Sequence, residues 1–149
     1  MKHQLAEITI NYKPKIKAKD RATITNSNDA AAQFREVWNN KLEYQESFYL
    51  MLLNKANHVL GFTLLAAGST TGVLVDLKMI LQTSLKSNAH SVIIAHNHPS
   101  GKLKASNEDN KLTSKVKNGL EAIDMQLLDH IIITAEGYYS YQDENNSAL

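Results

Sequence analysis

The sequence predicts an α/β fold, a mixed sheet packed between helices. Short β-branched runs alternate irregularly with stretches whose apolar residues recur at helical spacing, and polar cap residues stand directly ahead of the helical stretches. No repeat, low-complexity tract or linker composition divides the 149 residues, so a single domain is expected.

Taken in order, residues 5–12 (LAEITINY) place Ile8, Ile10 and Tyr12 at period two, the pattern of a half-buried strand. A basic arm follows, making residues 1–25 an N-terminal strand and arm ahead of the body of the domain, residues 26–149. Asn26, Ser27 and Asn28 offer cap oxygens to a first helix in which Ala31, Phe34, Val37 and Trp38 share a face. SFYLMLLN (47–54) and VLGFTLLAAG (59–68) read as strands joined by a short polar hairpin. Asp76 caps a second helix whose apolar stripe is Leu77, Ile80, Leu81 and Leu85. SVIIA (91–95) is β-branched without alternation, as a central strand covered on both faces must be. A third helix begins at Ser106 and is expected to stop near Asn118 at Gly119. LLDHIIIT and GYYSY close the domain as two strands around Ala135, Glu136 and Gly137.

Composition removes several classes of function. Cysteine is absent, which excludes disulfides, thiolate zinc sites and a cysteine nucleophile, so any metal must be held by His, Asp or Glu. A zinc nucleotide deaminase is excluded on the same ground. The net charge of +1 gives no strong global field for nucleic acid or membrane. No run approaches the roughly 20 apolar residues that span a bilayer, and the polar N-terminus lacks a secretory segment. A cytoplasmic protein without a membrane partner is expected.

The chemistry concentrates in SVIIAHNHPSG (91–101). Side chains two apart on an extended strand point the same way, so His96 and His98 can bring imidazole nitrogens to one point. Pro99, Ser100 and Gly101 then turn the chain, and Ser106 to Asp109 form an S-x-x-D at a helix start. Asp109 in that first turn can return its carboxylate toward the strand end. Two neutral imidazoles and a carboxylate make a three-ligand set with a fourth position open, the arrangement of catalytic zinc sites. A hydrogen-bonded core histidine and a plain capping box are the competing readings of the separate pieces. His3, His58 and His90 have no partner at ligand spacing and read as surface residues.

The stretch H-N-H-P-S-G-x4-S-x2-D, His96 through Asp109, resembles the metal-binding signature of JAMM (MPN/JAB) domains in the form carried by the RadC family. The resemblance runs from about Asn26 to Tyr141, through ESFYLMLLN, HNHPSG and LDHIIIT…GYYSY. It implies a JAMM/MPN metalloprotease fold, related to cytidine deaminases, holding one Zn2+ per chain on His96, His98 and Asp109. It also implies Glu46 as the general base acting on the metal-activated water, with Glu43 a nearby competitor, and Ser106 as a hydrogen-bond donor at the open position, where helix capping is its alternative role. Asp129 and His130 match a RadC-type pair; a strand puts them on opposite faces, leaving His130 either a group touching the ligands from outside or a hydrogen-bonded strand histidine. RadC proteins commonly carry an N-terminal helix-hairpin-helix module, which this sequence does not match.

In KPKIKAKDR (13–21), Lys13, Lys15, Lys17, Lys19 and Arg21 alternate strictly. If extended, the segment places its cations on one side about 6.5 Å apart, a spacing suited to nucleic-acid phosphates; a solvated arm or a lysine-guarded edge is the alternative. Lys102 and Lys104 beside the proposed site can attract an acidic substrate. The leading expectation is therefore a RadC-like zinc hydrolase of peptide or isopeptide bonds. A DNA-repair-associated or nucleic-acid-binding protein using residues 13–21 is the alternative, and a non-catalytic scaffold is the third class.

Overall fold

The computed structural model describes residues 4–68 and 74–149; His3 lies outside them. Three helices and five strands follow in the order α1 (Ser27–Trp38), β1 (Ser47–Leu53), β2 (Val59–Ala67), α2 (Leu77–Lys86), β3 (Ser91–Asn97), α3 (Asn107–Glu121), β4 (Gln126–Ile133) and β5 (Tyr138–Ser140). The strands form one mixed sheet of order β2-β1-β3-β4-β5, in which β3 and β4 run parallel and every other neighbouring pair is antiparallel. No helix among the described residues is long and apolar enough to cross a membrane.

Both faces of the sheet are covered. On one, Ala30, Phe34 and Trp38 of α1 pack over Met51, Leu53, Ile93, Ala95, Ile131 and Ile133. On the other, Ile80 of α2 with Val116 and Leu120 of α3 pack over Phe48, Leu50, Leu52, Val92 and Ile94. All of β3 is consequently buried, which is why its sequence shows no polar alternation. Asn26 caps α1, Asp76 caps α2 and Ser106 caps α3, each side chain accepting a backbone N–H of the first turn.

Four expectations are corrected. Residues 5–12 form no strand: Ile8 is 93% and Ile10 76% exposed. Period two specifies a strand only where a sheet edge receives it, and the start of the β2 edge is bonded instead to Ala22 and Ile24 (Val59 N–H to Ala22 O 2.8 Å, Ile24 N–H to Asn57 O 2.9 Å). The basic alternation is interrupted by a 3-10 turn, Ala18–Asp20, and Arg21 Nε donates back to Ile16 O, so the cations do not form one straight side. Leu85 ends the α2 stripe 52% exposed, Ser84 being the buried residue of that turn. Gly119 lies inside α3 rather than ending it. A Cβ there would lie 3.0 and 3.1 Å from the two Leu77 methyls, so glycine permits the close approach of α2 and α3, while the left-handed turn beyond the helix falls at Asp124 (φ 57°). His58 is half-buried beside the Thr23 bridge, and His90 is exposed as expected.

Asp129, on the face of β4 opposite His130, staples β4 to the C-terminal segment. Its Oδ1 accepts the His130 and Gln142 N–H groups (2.7 and 3.0 Å), and its Oδ2 accepts the Ser140 hydroxyl (2.5 Å). Asp129→Ala orphans these donors, and the expected cost is about 3 kcal/mol of unfolding free energy, read as a lowered urea midpoint with unchanged slope.

Candidate metal centre and cleft

The centre forms where β3 ends beneath the start of α3. His96 is the penultimate residue of β3, and the chain stays extended for one residue more, since His98 N–H donates to Ile133 O (3.0 Å). His96 and His98 therefore emerge on the same face, with Nε2 atoms 2.8 Å apart. Pro99 and Ser100 then turn the chain, closed by Gly101 N–H to His98 O (3.0 Å), with Gly101 at φ 81° where a side chain would be strained.

Asp109 is the third residue of α3 and has two roles. Its Oδ2 accepts the Ser106 N–H (2.7 Å), completing a capping box, while its Oδ1 lies 3.2 Å from His96 Nε2 and its Oδ2 3.7 Å from His98 Nε2. One ligand atom from each of the three residues falls within 4.8 Å of the others. Burial pushes the Asp109 carboxyl up, but the His96 contact and the Ser106 hydrogen bonds outweigh it and hold the group below the usual carboxylate range. It is thus an anion at neutral pH.

These donors fit a metal ion. At His98 the Nδ1 lies 2.7 Å from Lys102 O, and because a carbonyl only accepts, Nδ1 carries a ring proton and Nε2 is the atom that can serve as a ligand. Two imidazole nitrogens and an anionic carboxylate converging on one point make a donor set suited to a cation. His96 is 1% exposed, whereas His98 and Asp109 are each 15% exposed, so the centre is closed toward the sheet and open toward solvent. Zinc is compatible with this imidazole and carboxylate set, which does not by itself select one divalent metal.

The open side faces a cleft of about 850 Å³ walled by Tyr44, Glu46 and Gly68 on one side and His98, Lys104 and Ser106 on the other. A second hollow of about 620 Å³ shares Glu46, His98 and Ser106 with it and is lined by Asp109 as well. Glu46 is half-buried and lines both, whereas Glu43 is exposed and lines neither. Ser106 Oγ accepts the Asp109 N–H (3.0 Å), which leaves its own proton free to donate into the cleft. Capping and donation at Ser106 are compatible roles. Lys102 and Lys104 are exposed on the rim. Lys13, Lys15, Lys17, Lys19 and Arg21 line neither hollow.

Some contributors were not picked out from the sequence. Asn97, between the two histidines, points to the opposite face and is fully buried. Its Nδ2 donates to Leu42 O and Gln45 O (2.7 and 2.9 Å), and its Oδ1 accepts the Ser47 N–H (2.8 Å). This clamp fixes the segment that carries Glu46 to the end of β3. An amide residue at the end of a buried strand, between two histidines, was the available signal. Phe48, paired with His96 across β1 and β3, stacks on its ring (5.6 Å, 7°). His130 reaches the centre from β4, its Nε2 2.8 Å from His96 Nδ1 and its Nδ1 2.6 Å from the Thr113 hydroxyl, and burial holds it well below the usual histidine value. A register shift between Val92 and Ile93 lets Leu127 and His130 share that face, and Asp129 stays on the other.

Elemental analysis of protein purified without chelator or histidine tag is expected to find one metal ion per chain, and none in His96→Ala/His98→Ala. Equal metal content in the two proteins would show that the ion lies elsewhere.

Comparison with known proteins places this geometry in a family. The family model of the RadC-like JAB domain matches residues 24–146. A UPF0758 protein of Flavobacterium johnsoniae is 37% identical over 121 residues, 81% of this chain and 52% of the relative. A UPF0758 protein of Aquifex aeolicus is 32% identical over 140 residues, covering 94% and 58%, and one of Streptococcus gordonii is 36% identical over 102 residues, covering 68% and 45%. The chain spans about half the length of the curated relatives it matches. With the family model covering the sheet, its helices and the whole His-His-Asp centre, this chain belongs to the RadC family through its JAB domain.

Proposed function

We propose that the protein is a zinc-dependent hydrolase that cleaves peptide or isopeptide bonds in the cleft beside His98. The observation that carries this reading is the convergence of His96, His98 and Asp109 on one point at the mouth of a cleft that Glu46 and Ser106 also line. His96, His98 and Asp109 would hold the zinc ion, which would supply Lewis acidity toward a carbonyl and a water molecule.

The protein's own groups supply the rest. Glu46 accepts the proton of the attacking water and returns it to the leaving amine, so one carboxylate serves as base and then as acid. The free Ser106 proton is directed to the oxygen on which negative charge develops. Asn97 and the β3 end keep the Glu46 segment beside the centre. Lys102 and Lys104 favour an acidic stretch of substrate next to the scissile bond. The arm at residues 13–21 forms no single charged side, so the cleft rather than the arm carries the proposal. The cytoplasm is the proposed location, as the sequence led us to expect.

The test is a screen of peptide and isopeptide-linked substrates with zinc-loaded protein, followed by Glu46→Gln. The expected outcome is that kcat falls roughly 10²- to 10⁴-fold while zinc content is unchanged. Full activity in Glu46→Gln, or no cleavage by the loaded wild type, would overturn the reading.

A further inference from the structure

His130 is a fully buried imidazole that neither the ligand set nor the cleft uses. It sits within a line of short contacts running from His96 to α3, and these contacts determine where each proton resides. We propose that His130 and Thr113 are positioning residues that fix His96 as its Nδ1–H tautomer, with the Nε2 lone pair presented to His98 and Asp109. The inference rests on the metal-centre reading but not on peptide hydrolysis.

The assignment starts from a group with no freedom. The backbone carbonyl of Asp109 can only accept, so at 2.7 Å the Thr113 hydroxyl donates to it, the back-bond of a threonine to the residue four earlier on a helix. With its one proton committed, Thr113 Oγ1 meets His130 Nδ1 at 2.6 Å as an acceptor, so His130 Nδ1 carries the ring proton. A second proton on His130 would make it a buried cation with no carboxylate hydrogen-bonded to its ring among the described residues. Its ring is stacked on Tyr141 (4.7 Å, 12°) and flanked by Phe48, and Asp129 bonds only on the other face. His130 Nε2 is therefore bare, and at 2.8 Å it accepts the proton of His96 Nδ1.

The consequence is at the far nitrogen. In the neutral ring the lone pair of His96 then falls on Nε2, facing His98 Nε2 at 2.8 Å and Asp109 Oδ1 at 3.2 Å, where a metal ion would replace any proton that Nε2 shares with these groups. His98 reaches the same tautomer independently, through Lys102 O. Asp109 thus supplies a ligand through its carboxylate and, through its carbonyl, sets the protonation of the imidazole opposite. One turn of α3 prepares two of the three ligands. A histidine free to exchange tautomers would present its lone pair only part of the time, and losing such an outer partner weakens metal binding.

Two readouts test this without any substrate: long-range proton–nitrogen NMR of the histidine rings in metal-free protein, and zinc affinity by competition with a chelator. In the wild type, His96 is expected with Nδ1 protonated and hydrogen-bonded to His130. In Thr113→Val, which keeps the shape and removes the hydroxyl, His96 becomes a tautomer mixture and zinc binds roughly 10- to 100-fold more weakly. Thr113→Ser restores both. A wild-type His96 without a proton on Nδ1 would overturn the proposal, as would a folded Thr113→Val with wild-type tautomer and affinity. If the valine variant does not fold, the wild-type spectrum alone decides. Neither readout involves hydrolysis, so the outcome is separable from that of the proposed reaction.

Discussion

The burial of β3 on both faces is the constraint on which the centre depends. A strand sandwiched between α1 on one side and α2 with α3 on the other has no solvent side on which to place polar residues. At its end the alternation of the backbone nonetheless sends His96 and His98 one way and Asn97 the other. Each must be satisfied by the protein itself. Asn97 is satisfied by the backbone at Leu42, Gln45 and Ser47, which ties the Glu46 segment to the strand. His96 is satisfied by His130 at one nitrogen and turned toward Asp109 at the other. Three successive residues thus assemble both sides of the site.

The parallel pairing of β3 with β4 and the placement of α3 complete the arrangement. Parallel register brings His130 beside His96 from the neighbouring strand, and α3, which forms the crossover between the two strands, begins over their ends. Its first turn is closed by Ser106 and Asp109 through a capping box that stabilises the helix whether or not a metal is bound. The same contacts aim the Asp109 carboxylate at the histidines and leave one serine proton for the cleft. Helix stability and site geometry are therefore supported by the same hydrogen bonds.

Much of this was legible in the sequence because it rests on local rules. Period, cap residues and turn residues identified α1, α2, the start of α3 and all five strands of the sheet, and spacing together with the family resemblance singled out His96, His98 and Asp109, which the structure brings together. What escaped depended on partners far away in the chain. Residues 5–12 have the alternation of a strand but no edge to pair with, and Gly119 is a close-packing position against Leu77 instead of a helix stop. Asn97 and Thr113 gained their roles only when Leu42, Gln45 and His130 were folded against them. The family signature marked the ligands, and the hydrogen bonds that orient them became visible only in three dimensions.

The most direct measurement of the central claim is X-ray absorption spectroscopy of the zinc-loaded protein. The account predicts two imidazole nitrogens and carboxylate oxygen at about 2.0–2.2 Å, with a further light-atom ligand in the remaining position. A shell lacking imidazole, or one unchanged in Asp109→Ala, would contradict a centre built from His96, His98 and Asp109.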